Sequence, residues 1–156
     1  MGRMSPVDEE PPEHARYAGH RQALARATDV EEGALIGEVL GDPDKVMAEA
    51  AVAGHLDDRA AALHLLPSYP AWAEKVAGLV EGRPFLALRL GEWTLFRAIS
   101  LGAPWRAEEL LAATDWLQRK VSESVTAPEA LAVLAEHGRT RRIRNAAALQ
   151  LSSRRR

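Results

Sequence analysis

The apolar residues of this chain recur at intervals of three and four positions, in blocks separated by Gly, Pro and Asp. Such spacing places the apolar side chains on one face of a helix, so each block predicts an amphipathic α-helix. Whether the helix predicted at residues 84–101 is interrupted near Gly91 is left open. The predicted helices cover residues 13–27, 30–40, 43–54, 57–65, 70–81, 84–101, 106–113, 114–124, 128–137 and 139–151.

The residues between these blocks are of the kinds that begin and end helices. Asp42 is a predicted N-cap, with Pro43 at the first helical position, where its missing N–H costs nothing. Thr126 and Pro128 repeat this arrangement before the segment 128–137. Glycines near the predicted helix ends suit the left-handed cap conformation; they are Gly41, Gly54, Gly82, Gly102 and Gly138.

Strand-forming patterns are nearly lacking. The one local ambiguity is "RPFLALRL" at residues 83–90, and alternating runs of β-branched and aromatic residues are otherwise not found. The predicted fold class is therefore all-α. Helices of about ten residues are marginal by themselves, so packing between neighbours must hold them.

The composition is that of a globular protein, with 47% hydrophobic residues among 156. We predict a disordered tail at residues 1–12, one helical-repeat domain at 13–151 and a basic tail at 152–156. The chain begins with no apolar signal-like stretch and contains no run of about 20 apolar residues, so we expect a cytoplasmic protein without a membrane partner. Cysteine is lacking, which excludes disulfides and thiolate chemistry.

Two segments, 35–56 "LIGEVLGDPDKVMAEAAVAGHL" and 130–151 "ALAVLAEHGRTRRIRNAAALQL", share a pattern. Each has an apolar helix, a glycine, a polar connector and a second helix. Val46 and Ile143 each lie five residues after the glycine, and alanine pairs follow at matching offsets, at residues 50–51 and 147–148. Small residues at these positions let paired helices approach closely, as stacked hairpins require.

The segment "TRRIRNAAALQL" resembles the second helix of the HEAT-repeat family, through Ile143, Arg144, Ala147 and Leu151. The resemblance extends over roughly the last 50 residues and more weakly over 30–56, where Met47 stands at the arginine position. It implies a short right-handed α-solenoid of antiparallel helix pairs, with about four to five repeats. It also implies a non-catalytic module that presents a concave surface to a protein partner. In that family, an arginine at the position of Arg144 often joins a hydrogen-bond network between repeats.

The charge of the chain is unevenly distributed. Seven arginines and no acidic residue lie within 137–156, which leaves residues 1–136 with a net charge of −9 out of the total of −2. Lysine is rare beside seventeen arginines, a bias typical of GC-rich coding, so the arginine total by itself indicates little. The asymmetry between the two ends is more informative, because it can mark contact with nucleic acid or with an acidic partner.

On the last predicted helix, Arg141, Arg142 and Arg144 occupy the arc that faces away from Ile143. One interpretation is the solvated outer face of a terminal repeat, which no further repeat covers. A second is a phosphate-binding surface that includes the tail, in which case nucleic acid would bind with strong salt dependence. A third is a surface for an acidic protein.

No motif of an enzyme is found. The chain lacks a metalloprotease helix, a glycine-rich phosphate loop, a nucleophile elbow and a dinucleotide fingerprint. Adjacent carboxylates point about 100° apart on a helix and are better explained as helix-start residues than as a catalytic pair. We therefore predict no catalytic residue, no metal site and no cofactor; the weak alternative is a zinc site from His55, His64 and either Asp57 or Asp58.

The tryptophans are the most informative apolar residues. Trp93 lies on a helix that is apolar around most of its circumference and is predicted to be central and buried. Trp116 lies at the edge of the apolar side defined by Leu117 and Val121, next to Lys120. It can pack between repeats or serve as a partly exposed anchor, since Trp and Arg dominate interface hot spots.

The predicted binding face is a groove that contains Trp116, Arg119 and Arg144. Its function is expected to be protein binding, with nucleic acid as the alternative. The full set of predicted partner-binding residues is Trp116, Arg119, Arg141, Arg142 and Arg144.

Overall fold

The structure is a computed structural model that describes residues 12–124 and 127–154. Every regular element among these residues is an α-helix, which confirms the all-α prediction for this part of the chain. None of these helices, within the described residues, combines the length and apolarity that crossing a membrane requires. The helices are α1 Pro12–Arg26, α2 Asp29–Leu40, α3 Lys45–Leu63, α4 Tyr69–Leu79, α5 Pro84–Leu101, α6 Ala107–Ala112, α7 Asp115–Ser124, α8 Pro128–His137 and α9 Arg141–Arg154.

The predicted tails lie largely outside the described residues. Residues 1–11, 125–126 and 155–156 are not described, so the expected N-terminal disorder and the capping role of Thr126 stay predictions. Pro128 begins α8 as expected. The start of the predicted C-terminal tail is helical instead, because α9 continues to Arg154.

One predicted helix break is wrong, and the open question at Gly91 is settled. The segments 43–54 and 57–65 form the single helix α3, and α5 continues through Gly91. Gly54 lies inside α3, and a Cβ there would be 2.7 Å from a guanidinium nitrogen at the flexible end of the Arg21 side chain on α1. Glycine at this position therefore makes room for a neighbouring side chain and does not end a helix.

The predicted caps are confirmed in part. Gly82 and Gly102 have φ values of +80° and +71°, in the left-handed region that favours glycine. Gly41 and Gly138 have negative φ, so that prediction is wrong for them. The N-cap of α3 is Asp44, whose Oδ1 accepts a hydrogen bond from the backbone N–H of Met47 at 3.1 Å.

The carboxylate of Asp42, the residue expected to cap α3, holds α1 in place. It lies 3.2 Å from Arg16 Nε and 3.0 Å from His20 Nε2, both on α1. A further ion pair of 2.8 Å joins Arg21 to Asp58 of α3. Within α1 only Leu24 is buried, so the attachment of this helix combines one apolar side chain with these charged contacts.

The chain divides into two compact units. Unit 1 comprises Met1–Ala62 and Pro70–Ala87, and unit 2 comprises Leu63–Tyr69 and Leu88–Arg156. Whether residues 13–151 fold as one domain stays a prediction, because compactness alone does not show whether the two units fold separately.

The core of unit 1 combines small apolar side chains with a buried carboxylate. Glu32 of α2 is 4% exposed. Its Oε2 accepts hydrogen bonds from His55 Nε2 at 2.7 Å and Arg59 Nε at 2.8 Å, and its Oε1 accepts one from Trp72 Nε1 at 2.9 Å. These contacts join α2 to α3 and α4 and satisfy a group that would otherwise be costly to bury.

Burial raises the pKa of Glu32, but the hydrogen bonds from His55, Arg59 and Trp72 and the charge of Arg59 outweigh it. The net effect holds the pKa of Glu32 below 4.5. Its neighbour Glu31 has the role expected of a helix-start acid, since it forms a capping box with Thr28. The prediction for adjacent carboxylates is thus right for one member of this pair only.

In unit 2, α8 packs against α9, α7 against α9, and α6 against α8. Apolar side chains from these helices are fully buried, among them Leu110, Leu117, Leu131, Leu134 and Ile143. Two buried polar side chains link the helices. Glu92 of α5 accepts hydrogen bonds from Thr114 N at 2.8 Å and Thr114 Oγ1 at 2.7 Å, directly before α7. Gln118 of α7 donates to the Leu110 carbonyl at 2.9 Å and accepts from Arg139 N at 2.9 Å.

The two segments compared in the sequence bury different positions. Val46 is 81% exposed whereas Ile143 is 1% exposed, and Ala50 is exposed whereas Ala147 is buried. The reason is the length of the connector, since α3 begins four residues after its glycine and α9 three residues after Gly138. One extra residue rotates the helix face by about 100°, so the proposed correspondence is out of register.

We predict that Glu32→Gln destabilises the protein by about 2 kcal/mol near neutral pH, because it removes charge-assisted hydrogen bonds from a buried site. The folded-state pKa of Glu32 lies below 4.5, so its carboxylate stabilises the fold above that pH. The contribution is lost as the pH falls through the folded-state value. Urea unfolding at several pH values should therefore show the difference from wild type shrinking below pH 4.5. Glu74→Gln, at an exposed position of α4, is the control; equal effects of the two changes would contradict the prediction.

We also predict that Asp42→Asn loosens α1. The amide oxygen can still accept the hydrogen bond that Asp44 N donates at 2.9 Å, but the charge attraction to Arg16 is lost, and so is the carboxylate oxygen that contacts Arg16 and His20. Hydrogen exchange of the α1 amides should become severalfold faster while α3 keeps its protection. Glu38→Gln, on the exposed side of α2, should leave α1 unchanged. Unaltered exchange in α1 of the Asp42→Asn protein would show that apolar packing alone holds this helix.

Candidate partner-binding site

One face of α7 lines an open cavity of about 380 Å³ in unit 2. The lining residues follow one another at intervals of one, three and four positions, as expected for neighbours on a helix surface. They include two of the predicted binding residues, Trp116 and Arg119. The full lining is Trp116, Arg119, Lys120, Glu123 and Ser124.

The sequence of α7 explains why this face is open. Leu117 and Val121 are fully buried, as predicted, and fix the side of the helix that faces the core. Trp116 and Lys120, which directly precede Leu117 and Val121 in the sequence, are half-buried, and Arg119 is exposed. The cavity therefore lies at the boundary between the core side of α7 and its solvent side.

Trp116 rests on a cluster of aromatic side chains. Its ring meets that of Trp93 edge-on, with centroids 5.5 Å apart, and Trp93 meets Phe96 edge-on at 5.8 Å. The ring of His64 lies 5.4 Å from Trp93 and 5.3 Å from Phe96. Trp93 is 2% exposed, which confirms the prediction of a buried residue. Trp116 thus packs on Trp93 and also lines the cavity, and its role as an anchor for a partner stays a prediction.

Two cations lie over these rings. The Arg89 guanidinium is 3.8 Å from the centroid of the Trp116 ring. Lys120 Nζ is 4.9 Å from the Trp93 centroid, 5.0 Å from Phe96 and 6.0 Å from Trp116. Contacts of this kind attract a cation to the ring face and hold both groups in place. Sequence reasoning missed Arg89, since nothing in the local pattern of α5 shows that its side chain reaches a tryptophan on α7.

Two of the C-terminal arginines serve the fold. Arg139 donates from Nη1 to the Ala113 carbonyl at 3.0 Å and pairs through Nε with Asp115 at 3.2 Å. Arg144 donates from Nη1 to the Gly138 carbonyl at 2.8 Å, in the turn between α8 and α9. Arg144 therefore does not line the cavity, and the predicted groove contains only Trp116 and Arg119 of its three named residues.

Gly138 is needed for that turn. A Cβ at this position would be 2.6 Å from the Leu134 carbonyl oxygen and 2.8 Å from Cγ2 of Ile143. Both distances are too short for a real side chain, so glycine lets α8 and α9 meet closely. The arginine of this turn and its glycine act together to close the hairpin.

Arg141 and Arg142, at the start of α9, are exposed, as is Arg119. Within residues 12–124 and 127–154, none of these three guanidinium groups has an ion pair or a hydrogen bond to another side chain. These groups are therefore open to a partner. The sequence could not distinguish Arg141 and Arg142 from Arg139 and Arg144, because all four belong to one basic run.

Helices α7 and α9 lie side by side and run in the same direction. Near their starts, Arg139 N donates to Gln118 Oε1 at 2.9 Å. Near their ends, Gln150 Nε2 donates to the Glu123 carbonyl at 3.2 Å. The exposed arginines of α9 thus belong to a helix that flanks the cavity-lining helix α7.

Among the described residues, no group of three or more His, Cys, Asp or Glu side chains could hold a metal ion. Of the histidines considered for zinc, His55 is hydrogen-bonded to Glu32 and the His64 ring packs on Trp93 and Phe96. The candidate site is therefore described by its aromatic and cationic side chains alone.

The position of Lys120 gives a spectroscopic prediction. The sequence has only three lysines, Lys45, Lys75 and Lys120. With ¹³C-labelled lysine, the ε-methylene protons of Lys120 should resonate upfield of the other two, since ring currents shield groups that lie over aromatic faces. Trp116→Leu should reduce this shift without abolishing it, because Trp93 and Phe96 remain. Three coincident lysine signals in the wild-type protein would contradict the observed geometry.

Comparison with protein-family models, curated proteins and solved structures gives no match to this chain. The resemblance to HEAT repeats therefore stays a prediction, and a function has to be argued from the residues of the cavity and from the distribution of charge.

Proposed function

We propose that this protein is a non-catalytic interaction module that binds a protein partner through the surface formed by α7 and α9 in unit 2. In this proposal, antiparallel helix pairs of the HEAT-like kind stack into a short right-handed solenoid, whose concave side carries that surface. The predicted cytoplasmic location belongs to the same proposal.

The packing of unit 2 supports the stacking of hairpins. Helices α8 and α9 are joined by the close turn at Gly138 and pack against each other. The second helices α7 and α9 lie side by side, and the first helices α6 and α8 are also in contact. Contact of first helices with first and second with second is what a stack of helix pairs requires.

The half-buried Trp116, beside the exposed Arg119, is the observation that carries the proposal. Tryptophan and arginine are the residue types most enriched at interface hot spots. The Trp116 ring is already held by Trp93 and Arg89, so a partner that binds to it would order few additional side chains. A pre-organised anchor of this kind lowers the entropic cost of association.

Nucleic acid is the second candidate, since Arg141 and Arg142 are exposed. Against it, Arg139 and Arg144 are engaged with backbone carbonyls and leave fewer charges for phosphates. Carboxylates are also interspersed on α7, where Asp115 and Glu123 would repel a phosphate backbone. A protein partner fits this mixture of basic and acidic side chains better than a nucleic acid does.

The test is affinity capture of the tagged full-length protein from its source lysate, with and without nuclease and at two salt concentrations. We expect a discrete protein that survives nuclease. The double change Arg119→Glu and Arg142→Glu should reduce its recovery about tenfold or more, as reversal of rim charges typically weakens association. Arg26→Glu with Lys45→Glu, an equal charge change at exposed positions of unit 1, is the matched control.

Two outcomes would count against the proposal. Recovery of nucleic acid that disappears at moderate salt would make the C-terminal arginines a phosphate-binding surface. Equal loss of the partner in the unit 1 control would show that overall charge, and not the surface of α7 and α9, determines binding. For Trp116→Ala, lost stability with unchanged capture would assign that side chain to packing alone.

A further inference from the structure

The two units carry opposite net charges. Unit 2 contains twelve of the twenty basic residues and seven of the twenty-two acidic ones, a net charge of +5, whereas unit 1 has a net charge of −7. The partner-binding surface proposed above therefore belongs to the basic part of the chain. A positively charged unit attracts acidic ligands and speeds their encounter.

Lys120 is the central group of the cavity. Its side chain is half-buried, and its ammonium group lies over the ring faces of Trp93, Phe96 and Trp116. Ring faces attract an ammonium group but accept no conventional hydrogen bond, so its N–H donors are available to a group that enters the cavity. An anionic oxygen is the acceptor that binds such a group most strongly.

The other lining residues limit the charge of the ligand. Arg119 adds a second cation, which is exposed, and Glu123 adds one carboxylate. Ser124 donates its hydroxyl to the Lys120 carbonyl, so its oxygen is left as an acceptor. A singly charged group balances this lining, whereas a phosphate dianion or a row of phosphates would bring additional negative charge next to Glu123.

We propose that the cavity binds a carboxylate side chain from an acidic peptide segment of a protein partner. In this arrangement, Lys120 and Arg119 bind the carboxylate, the Trp116 ring contacts an apolar neighbour of the acidic residue, and Glu123 accepts a backbone N–H of the segment. A cavity of about 380 Å³ has room for one or two side chains. This inference depends on the function proposed above and specifies the chemistry of its ligand.

The three lysines allow a direct test on the full-length protein. Lysine labelled with ¹³C reports Lys120 in the same spectrum as Lys45 and Lys75, which serve as internal controls. The probe is the synthetic peptide acetyl-Asp-Glu-Leu-Asp-Glu-amide, and its matched control has Asn and Gln in place of Asp and Glu. The acidic peptide should shift the Lys120 signal alone, with an effect that weakens at higher salt, and the amide peptide should shift none.

A pair of variants measures the contribution of the ammonium group. Lys120→Met keeps an unbranched side chain against the rings and removes the charge, so the acidic peptide should bind about tenfold more weakly. Lys45→Met makes the same chemical change at an exposed position of unit 1 and should leave the affinity unaltered. If Lys120→Met fails to fold, Arg119→Gln at an exposed position of α7 should still lower the affinity severalfold.

Several results would overturn the inference. The acidic peptide could shift all three lysines equally, or bind the Lys120→Met protein as tightly as wild type. Inorganic phosphate could match the peptide, which would indicate a general anion site, or a single-stranded oligothymidylate could bind more tightly. A Lys120 shift that depends on protein concentration without any peptide would indicate a second copy of this chain as the occupant.

The failures of the two proposals are distinguishable. If capture from lysate gives a protein that requires Arg119, but the peptide leaves Lys120 unmoved, the interaction module stands and the acidic ligand is wrong. If the peptide moves Lys120 while no protein is captured, the ligand chemistry stands without the proposed function. If neither occurs, both are wrong.

Discussion

The carboxylate of Glu32 is buried among α2, α3 and α4 and receives hydrogen bonds from three side chains on two other helices. Alanine-rich helices of this length bury little apolar surface each, so contacts of this kind fix which faces meet. Unit 2 follows the same principle with Glu92 and Gln118. A buried polar or charged side chain is costly unless its hydrogen bonds are satisfied. Each of these side chains therefore favours the one arrangement of helices that supplies its partners.

The aromatic cluster of unit 2 extends this principle to a surface. Trp93 is buried, and the Trp116 ring packs against it edge-on, which brings a large ring to the boundary of the core. Arg89 and Lys120 then lie over ring faces, which attract cations. The rings hold both cations in place, and Trp116 and Lys120 pack on the aromatic cluster while they also line the cavity.

Much of the fold could be predicted from spacing alone, because the apolar period of a helix is a local property. The core side of α7, marked by Leu117 and Val121, was predicted from that period. Positions that depend on other helices could not be predicted. Glycine is typical of a helix end, but Gly54 lies inside α3 beside the Arg21 side chain. Glu32 resembles the acidic residues that start helices, but its carboxylate is a buried hydrogen-bond acceptor. For the site, the predicted groove of Trp116, Arg119 and Arg144 is right for the first two residues, which share α7. Arg89 reaches the Trp116 ring only through the tertiary packing of α5.

The basic run at the end of the chain shows why a count of charges overstates a binding surface. Arg139 and Arg144 donate to the carbonyls of Ala113 and Gly138, groups at helix ends that have no partner within their helix. Arg141 and Arg142 lie in the first turn of α9, where the helix has no need of cations. Two arginines thus complete the hairpins, and two lie where structural stability does not favour them. A charged side chain that does not stabilise the fold is better evidence for a ligand than one that the fold itself uses.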